Sequence, residues 1–100
     1  MSLWTVYLVR CSDDTLYCGI TNDLASRLAA HAAGKGAKYT RGRGPFTLVA
    51  RQVCRDKRVA LRIEHAVKQL DRRQKLALDA RRLQAIARVA RDKLRDTAAQ

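Results

Sequence analysis

The chain opens with an apolar run, Leu3 to Arg10 (LWTVYLVR), in which both alternating sets of positions carry β-branched, aliphatic or aromatic side chains. A segment this short and apolar on both faces reads as a strand covered on both sides, at the centre of a sheet. Ser12, Asp13, Asp14 and Thr15 bring turn chemistry, and Leu16 to Ile20 (LYCGI) is a second apolar run, so the pair predicts an antiparallel hairpin. The simplest register makes Asp13, Asp14 and Thr15 the loop, with Ser12 opposite Leu16. Strand side chains alternate faces, so any pairing with an even sum puts Tyr7, Tyr17 and Gly19 on one face, with a hollow at the glycine. An odd sum separates the tyrosines.

Thr21, Asn22 and Asp23 offer capping oxygens ahead of Leu24 and Leu28, and Gly34 is placed to end a helix, which predicts helix from Asn22 to Ala33. The tract Gly34 to Pro45 (GKGAKYTRGRGP) has no large aliphatic side chain to bury and reads as a surface loop. Phe46 to Cys54 returns to strand composition, with Pro45 at its entrance. Val59, Ile63, Ala66, Val67 and Leu70 recur at helical spacing and predict a helix from Lys57 to Leu70. Asp71 followed by Gln74 has the form of a capping box and starts a new helix. Leu76, Leu83, Ile86, Ala90 and Leu94 carry helix on to about Arg95, in one piece or two. The order strand-strand-helix-strand-helix-helix is an α+β fold, a small three-stranded antiparallel or mixed sheet flanked by helices.

At 100 residues and 47% hydrophobic types this is a single domain, residues 1–100. Charge adds more: 21 Lys and Arg against 9 Asp and Glu leave +12. No acid lies between Asp23 and Asp56, where Arg27, Lys35, Lys38, Arg41, Arg43, Arg51 and Arg55 all fall. An uncompensated field of that kind suits a phosphate backbone, bound through counterion release. A membrane surface calls for a basic amphipathic helix with aromatic anchors, and no Phe, Trp or Tyr follows Phe46. With no long apolar run and no signal-peptide pattern at the start, the expectation is a cytoplasmic protein with no membrane contact. Cys11, Cys18 and Cys54 lack metal-binding spacing and read as small buried apolar residues, while the pairs Arg72–Arg73 and Arg81–Arg82 read as solvated helix faces.

Some polar residues invite chemistry. Arg27 and His31, four apart, project from one helix face, a fork for phosphate oxygens beside an imidazole that accepts protons near neutrality. Glu64 is the chain's single glutamate and borders an apolar stripe, where a carboxylate can hold a hard divalent ion that also touches a phosphate. Taken singly, each tyrosine reads as a core aromatic, Arg27 and His31 as surface side chains, and Glu64 as an ion-pair partner of Lys68 or Arg62.

Taken together they resemble something specific. Thr5-Val6-Tyr7 followed by Tyr17-Cys18-Gly19 resembles the paired motif of the GIY-YIG nuclease superfamily, with Arg27, His31 and Glu64 in matching order downstream. The tract GKGAKYTRGRGP and the phrase ALRIEHAVKQL look like the small single-domain bacterial members of uncertain function. The resemblance covers about residues 3–78 and leaves 79–96 as a helical extension. It implies a metal-dependent endonuclease that hydrolyses DNA phosphodiester bonds, structure-selective in repair or recombination. It further implies that Glu64 ligates one Mg²⁺ or Mn²⁺ and that Arg27 holds a non-bridging oxygen. Tyr7 would orient or deprotonate the attacking water with help from Tyr17 or His31, the proton acceptor being Tyr7 or His31. Gly19 would serve structurally, and Lys35, Lys38, Tyr39, Arg41 and Arg43 would grip the backbone or stack on an unpaired base. The chain departs from the pattern in reading TVY and YCG, and in having no asparagine within Asp71–Lys75, where many active members have one. That departure supports an alternative, a nucleic-acid-binding module with weak or no catalysis, for which RNA is as suitable a ligand as DNA. A protein-partner adaptor leaves the Tyr7, Tyr17, Arg27 and Glu64 coincidence unexplained.

Overall fold

Val6, Tyr7, Leu8 and Val9 are fully buried, as consecutive residues of a strand covered on both faces must be. They lie in β1 (Trp4–Arg10), followed by β2 (Leu16–Thr21), α1 (Leu24–Ala32), β3 (Thr47–Cys54), α2 (Lys57–Lys68), α3 (Arg72–Leu76) and α4 (Ala80–Ala99). The structure, a computed structural model, describes residues 3–35 and 44–99. The sheet order is β2-β1-β3, with both pairings antiparallel. The fold is therefore α+β with the first strand at its centre.

The hairpin has the predicted parity but not the predicted loop. Tyr7 pairs with Gly19 and Arg10 with Leu16, so Ser12 does not face Leu16. The Cys11 N–H donates to the Thr15 carbonyl at 2.8 Å and the Asp14 N–H to the Cys11 carbonyl at 3.0 Å, which leaves Ser12, Asp13 and Asp14 at the tip. Asp14 takes the left-handed position with φ of 64°. The expected loop would have put β-branched Thr15 there, whereas aspartate tolerates that conformation far better. The Asp13 carboxylate also accepts from the Thr15 N–H at 3.2 Å.

The two faces of the sheet hold different contents. Val6, Leu8, Cys18, Ala50 and Cys54 pack with Ala60, Ile63 and Val67 of α2 and with Leu78, Leu83, Ala87 and Ala90 to form the main core. All three cysteines are free and buried. The other face presents Tyr7, Val9, Tyr17 and Gly19 toward α1, with a bulge in the β1–β3 pairing between Leu8 and Val9.

Capping chemistry fixes the helix boundaries. Asp23 accepts from the Ser26 N–H at 3.2 Å, so α1 begins beyond Asn22, the expected start. At its end the Lys35 N–H donates to the Ala30 carbonyl and the Gly34 N–H to the His31 carbonyl, with Gly34 at φ of +75°. This is a Schellman closure. Asp56 caps α2 through the Arg58 N–H at 2.6 Å. α2 stops at Lys68, short of Leu70, because Asp71 must be extended to cap α3. The capping box there is complete, Gln74 N–H to Asp71 Oδ1 at 2.8 Å and Asp71 N–H to Gln74 Oε1 at 3.0 Å. Asp79 then caps α4 through the Arg82 N–H at 2.8 Å, so the C-terminal helix is in two pieces and its second piece continues past Arg95. Among the described residues no helix is long and apolar enough to cross a membrane.

Candidate active site

Gly19 makes the site possible. The register sets it directly across from Tyr7, and the Tyr7 ring lies over it so closely that a Cβ there would sit 2.5 Å from the phenol oxygen. The expected hollow is real and the Tyr7 ring fills it. The phenol then meets α1 in two places. Its Oη lies 2.8 Å from His31 Nε2, and the Arg27 Nε–H donates to the same oxygen at 3.3 Å. The i,i+4 spacing of Arg27 and His31 lets one turn of helix reach one oxygen from two sides. Tyr17 completes the cluster, with ring centroids 6.1 Å from Tyr7 and 5.4 Å from His31.

Burial sets the protonation states. Tyr7 is fully buried and His31 is 1% exposed. Loss of hydration raises the Tyr7 phenol above its ordinary value, against the pull of Arg27. It lowers His31, and the nearby Arg27 charge lowers it further. The phenol oxygen accepts from the Arg27 Nε–H, and the bond to His31 joins a protonated phenol to a neutral imidazole, whose tautomer sets which of the two donates.

Glu64 stands outside this hydrogen-bonded cluster. It lies on α2, the helix packed against the opposite face, and its carboxylate, 20% exposed, meets Lys68 Nζ at 3.5 Å. Tyr17, on the edge strand β2, connects the two regions, since it also lines a cavity of about 300 Å³ with Cys18, Val67, Lys68 and Lys75. The structure thus brings together Tyr7, Tyr17, Gly19, Arg27 and His31, while Glu64 is paired with Lys68 on α2. Lys35 closes the end of α1 through its backbone. Lys38, Tyr39, Arg41 and Arg43 lie outside the described residues.

Some neighbours of the site were not singled out from the sequence. The Phe46 ring packs against His31 with centroids 5.8 Å apart, and both line a cavity of about 380 Å³ with Val9, Leu28 and Leu48. Arg51 pairs with Tyr7 across β1 and β3, so it is an exposed cation on the same face. Its position depends on the β1–β3 register, which no local pattern encodes; the only available signal was its place in the acid-free stretch.

Residues 3–77 match the GIY-YIG family, described as the GIY-YIG catalytic domain. A UPF0213 protein of Yersinia pestis (strain Pestoides F) is 51% identical over 84 residues, spanning 82% of this chain and 88% of that protein. A UPF0213 protein of Nitratidesulfovibrio vulgaris is 48% identical over 75 residues, 75% of this chain and 68% of that one. The solution NMR structure of a UPF0213 protein from Bacillus halodurans has 51% sequence identity and a TM-score of 0.49, covering 73% of this chain and 78% of that chain.

Proposed function

This chain belongs to the GIY-YIG family, a nuclease-type catalytic domain, and from that membership we propose that it is an endonuclease that hydrolyses DNA phosphodiester bonds in repair or recombination. The observation that carries the reading is the convergence of His31 and Arg27 on one oxygen, Tyr7 Oη, at 2.8 and 3.3 Å. Arg27 is always charged and half-buried, so its guanidinium can hold a phosphate oxygen while Nε steadies the phenol. His31, kept neutral, is the base that accepts the Tyr7 proton when Tyr7 takes one from an attacking water. Tyr17 packs against both rings and limits their movement.

The residues present fit one divalent ion. Glu64 is a hard oxygen donor, and Mg²⁺ or Mn²⁺ characteristically takes one or two carboxylates and fills its other positions with water and substrate oxygens. Among the described residues no cluster of three or more His, Cys, Asp or Glu gathers, and Glu64 is assigned as the donor from its place in the family's pattern. When bound, such an ion supplies positive charge to the phosphate and leaving oxygen. Lys68, 3.5 Å from Glu64, must give way to it.

That same pair favours a second reading, a nucleic-acid-binding module with little catalysis, because the carboxylate is already partnered and the Tyr7 hydroxyl is sealed by its neighbours. A cleavage assay of wild type and Glu64→Ala on single-stranded, duplex and branched DNA, with Mg²⁺, Mn²⁺ or EDTA, separates the two. Metal-dependent cutting that disappears in Glu64→Ala while binding persists is the expected result. Salt-sensitive binding with no cutting of any form establishes the second reading.

A further inference from the structure

Tyr17 faces the Tyr7–His31 cluster on one side and on the other lines the cavity that contains Lys68 and Lys75. That cavity adjoins a second one of about 230 Å³, lined by Asp14, Leu16, Arg72 and Lys75 among others, and the two share Leu16 and Lys75. The two adjoin at these shared residues and form a groove lined in turn by Tyr17, Leu16 and, near the hairpin tip, Asp14. We propose that Lys68, Arg72 and Lys75 in this groove bind the phosphates of a nucleic-acid strand entering or leaving the Tyr7–Tyr17 site. The inference deepens the nucleic-acid reading above and rests on it.

Local structure explains why these cations face the groove. The Asp71–Gln74 capping box fixes where α3 begins, and helical geometry then sets Arg72 and Lys75, three apart, on one side. Arg73, next to Arg72, does not line either cavity. Arg72 and Arg73 are both exposed, as expected of a solvated face, and Arg72 alone of the two also borders a cavity. Lys75 is half-buried, and its covered stem restricts where the ammonium can reach, which lowers the entropy lost when it binds. Asp14 is the only carboxylate lining these two cavities. Glu64 beside Lys68 ties the groove to the residue assigned to the metal. A strand whose scissile phosphate lies against Tyr17 would continue past Lys68 and Lys75, which line the same cavity as Tyr17.

The test compares two double variants that remove the same charge, Arg72→Gln with Lys75→Gln in the groove, and Arg81→Gln with Arg82→Gln on the exposed face of α4. Binding of a fluorescein-labelled branched DNA is measured by anisotropy in EDTA over a salt series, and thermal melts confirm that both variants fold. The groove variant should bind about tenfold more weakly at moderate salt, with a log affinity against log salt slope shallower by about one to two. The α4 variant should bind within about twofold of wild type. Equal weakening by both pairs, or none by either while wild type binds, overturns the groove as a site and leaves the nuclease reading intact. Failure of wild type itself to bind DNA or RNA overturns both.

Discussion

Replacing Gly19 by alanine tests the packing that positions Tyr7. The new Cβ would lie 2.5 Å from Tyr7 Oη, 2.6 Å from Cζ and 2.9 Å from Cε1. Non-bonded carbon atoms settle at about 3.5–4.0 Å, so the ring must withdraw by about 1 Å. Tyr7 is fully buried, and crowding of that kind costs about 1–3 kcal/mol. Withdrawal also stretches the 2.8 Å bond to His31, and a buried polar group left without its partner costs about 1–3 kcal/mol. A combined loss of about 2–6 kcal/mol lowers Tm by roughly 10–45 °C in a domain of this size. Misplacing the phenol by that distance also lowers cleavage by about 100-fold.

Thermal and urea melts of wild type, Gly19→Ala, Tyr7→Ala and the double variant isolate the effect. Once the ring is gone the three atoms nearest the alanine Cβ are gone with it, so Gly19→Ala should cost little further in the Tyr7→Ala background, a coupling of about 2 kcal/mol or more. Tyr7→Phe, which removes the closest contact and is a smaller perturbation, should recover part of the loss in the Gly19→Ala background. An equal penalty for Gly19→Ala with and without the Tyr7 ring refutes the argument, because the cost would then lie in the backbone.

The other expectations concern charge and protonation. His31 titrates below its ordinary 6.5 when folded, so the unfolded chain takes up the proton first; its contribution is complete above about pH 6.5 and declines as pH falls toward the folded value. Urea midpoints should drop on acidification, and less so in His31→Gln. Tyr7 is raised from 10.0, so its contribution is complete below pH 10 and is lost as pH rises through the folded value, a dependence that Tyr7→Phe should remove. The Cys18 thiol is pushed up to about 12 by burial, with Glu64 adding to the effect; a thiol reagent at pH 8 should label it only after unfolding. Lys68→Gln should reduce the Mg²⁺ or Mn²⁺ needed for half-maximal cleavage by up to about fivefold, since an ion pair of this exposure is worth at most about 1 kcal/mol. An unchanged or higher metal requirement argues against competition between Lys68 and the ion.

Much of the fold was legible because its signals are local. A doubly apolar run marked β1, and the capping oxygens of Thr21, Asn22 and Asp23 and the Asp71–Gln74 box marked helix starts. The parity argument put Tyr7, Tyr17 and Gly19 on one face for any turn that gives an even-sum register, and the observed register has that parity although its loop differs. Less was legible at the turn: its chemistry pointed to a loop ending at Thr15, and the left-handed position's preference for aspartate over a β-branched residue moves it to Asp14. The apolar spacing through Leu70 likewise pointed past the true end of α2, because it carries no information about the capping box that follows. The Arg51 and Lys75 neighbours of the site depend on pairing and packing between distant segments, which periodicity does not record.

The geometry also bears on which residue takes the proton, a question the residue types alone leave open between Tyr7 and His31. A phenolate base would need Tyr7 stabilised as an anion, yet burial outweighs the Arg27 charge and holds the phenol protonated. His31 is moved the opposite way, toward the neutral imidazole that can accept. The two shifts act on atoms 2.8 Å apart, so they favour a relay in which the phenol takes a proton from water only as it gives its own to His31. In that relay Arg27 stabilises charge that appears on Tyr7 Oη only in passing, the arrangement in which a fixed donor helps the transition state more than the ground state. Tyr7→Phe and His31→Gln should then lower cleavage by similar factors, and combining them should cost little more than either alone. Multiplicative losses would mean that the two side chains act independently and that the relay does not operate.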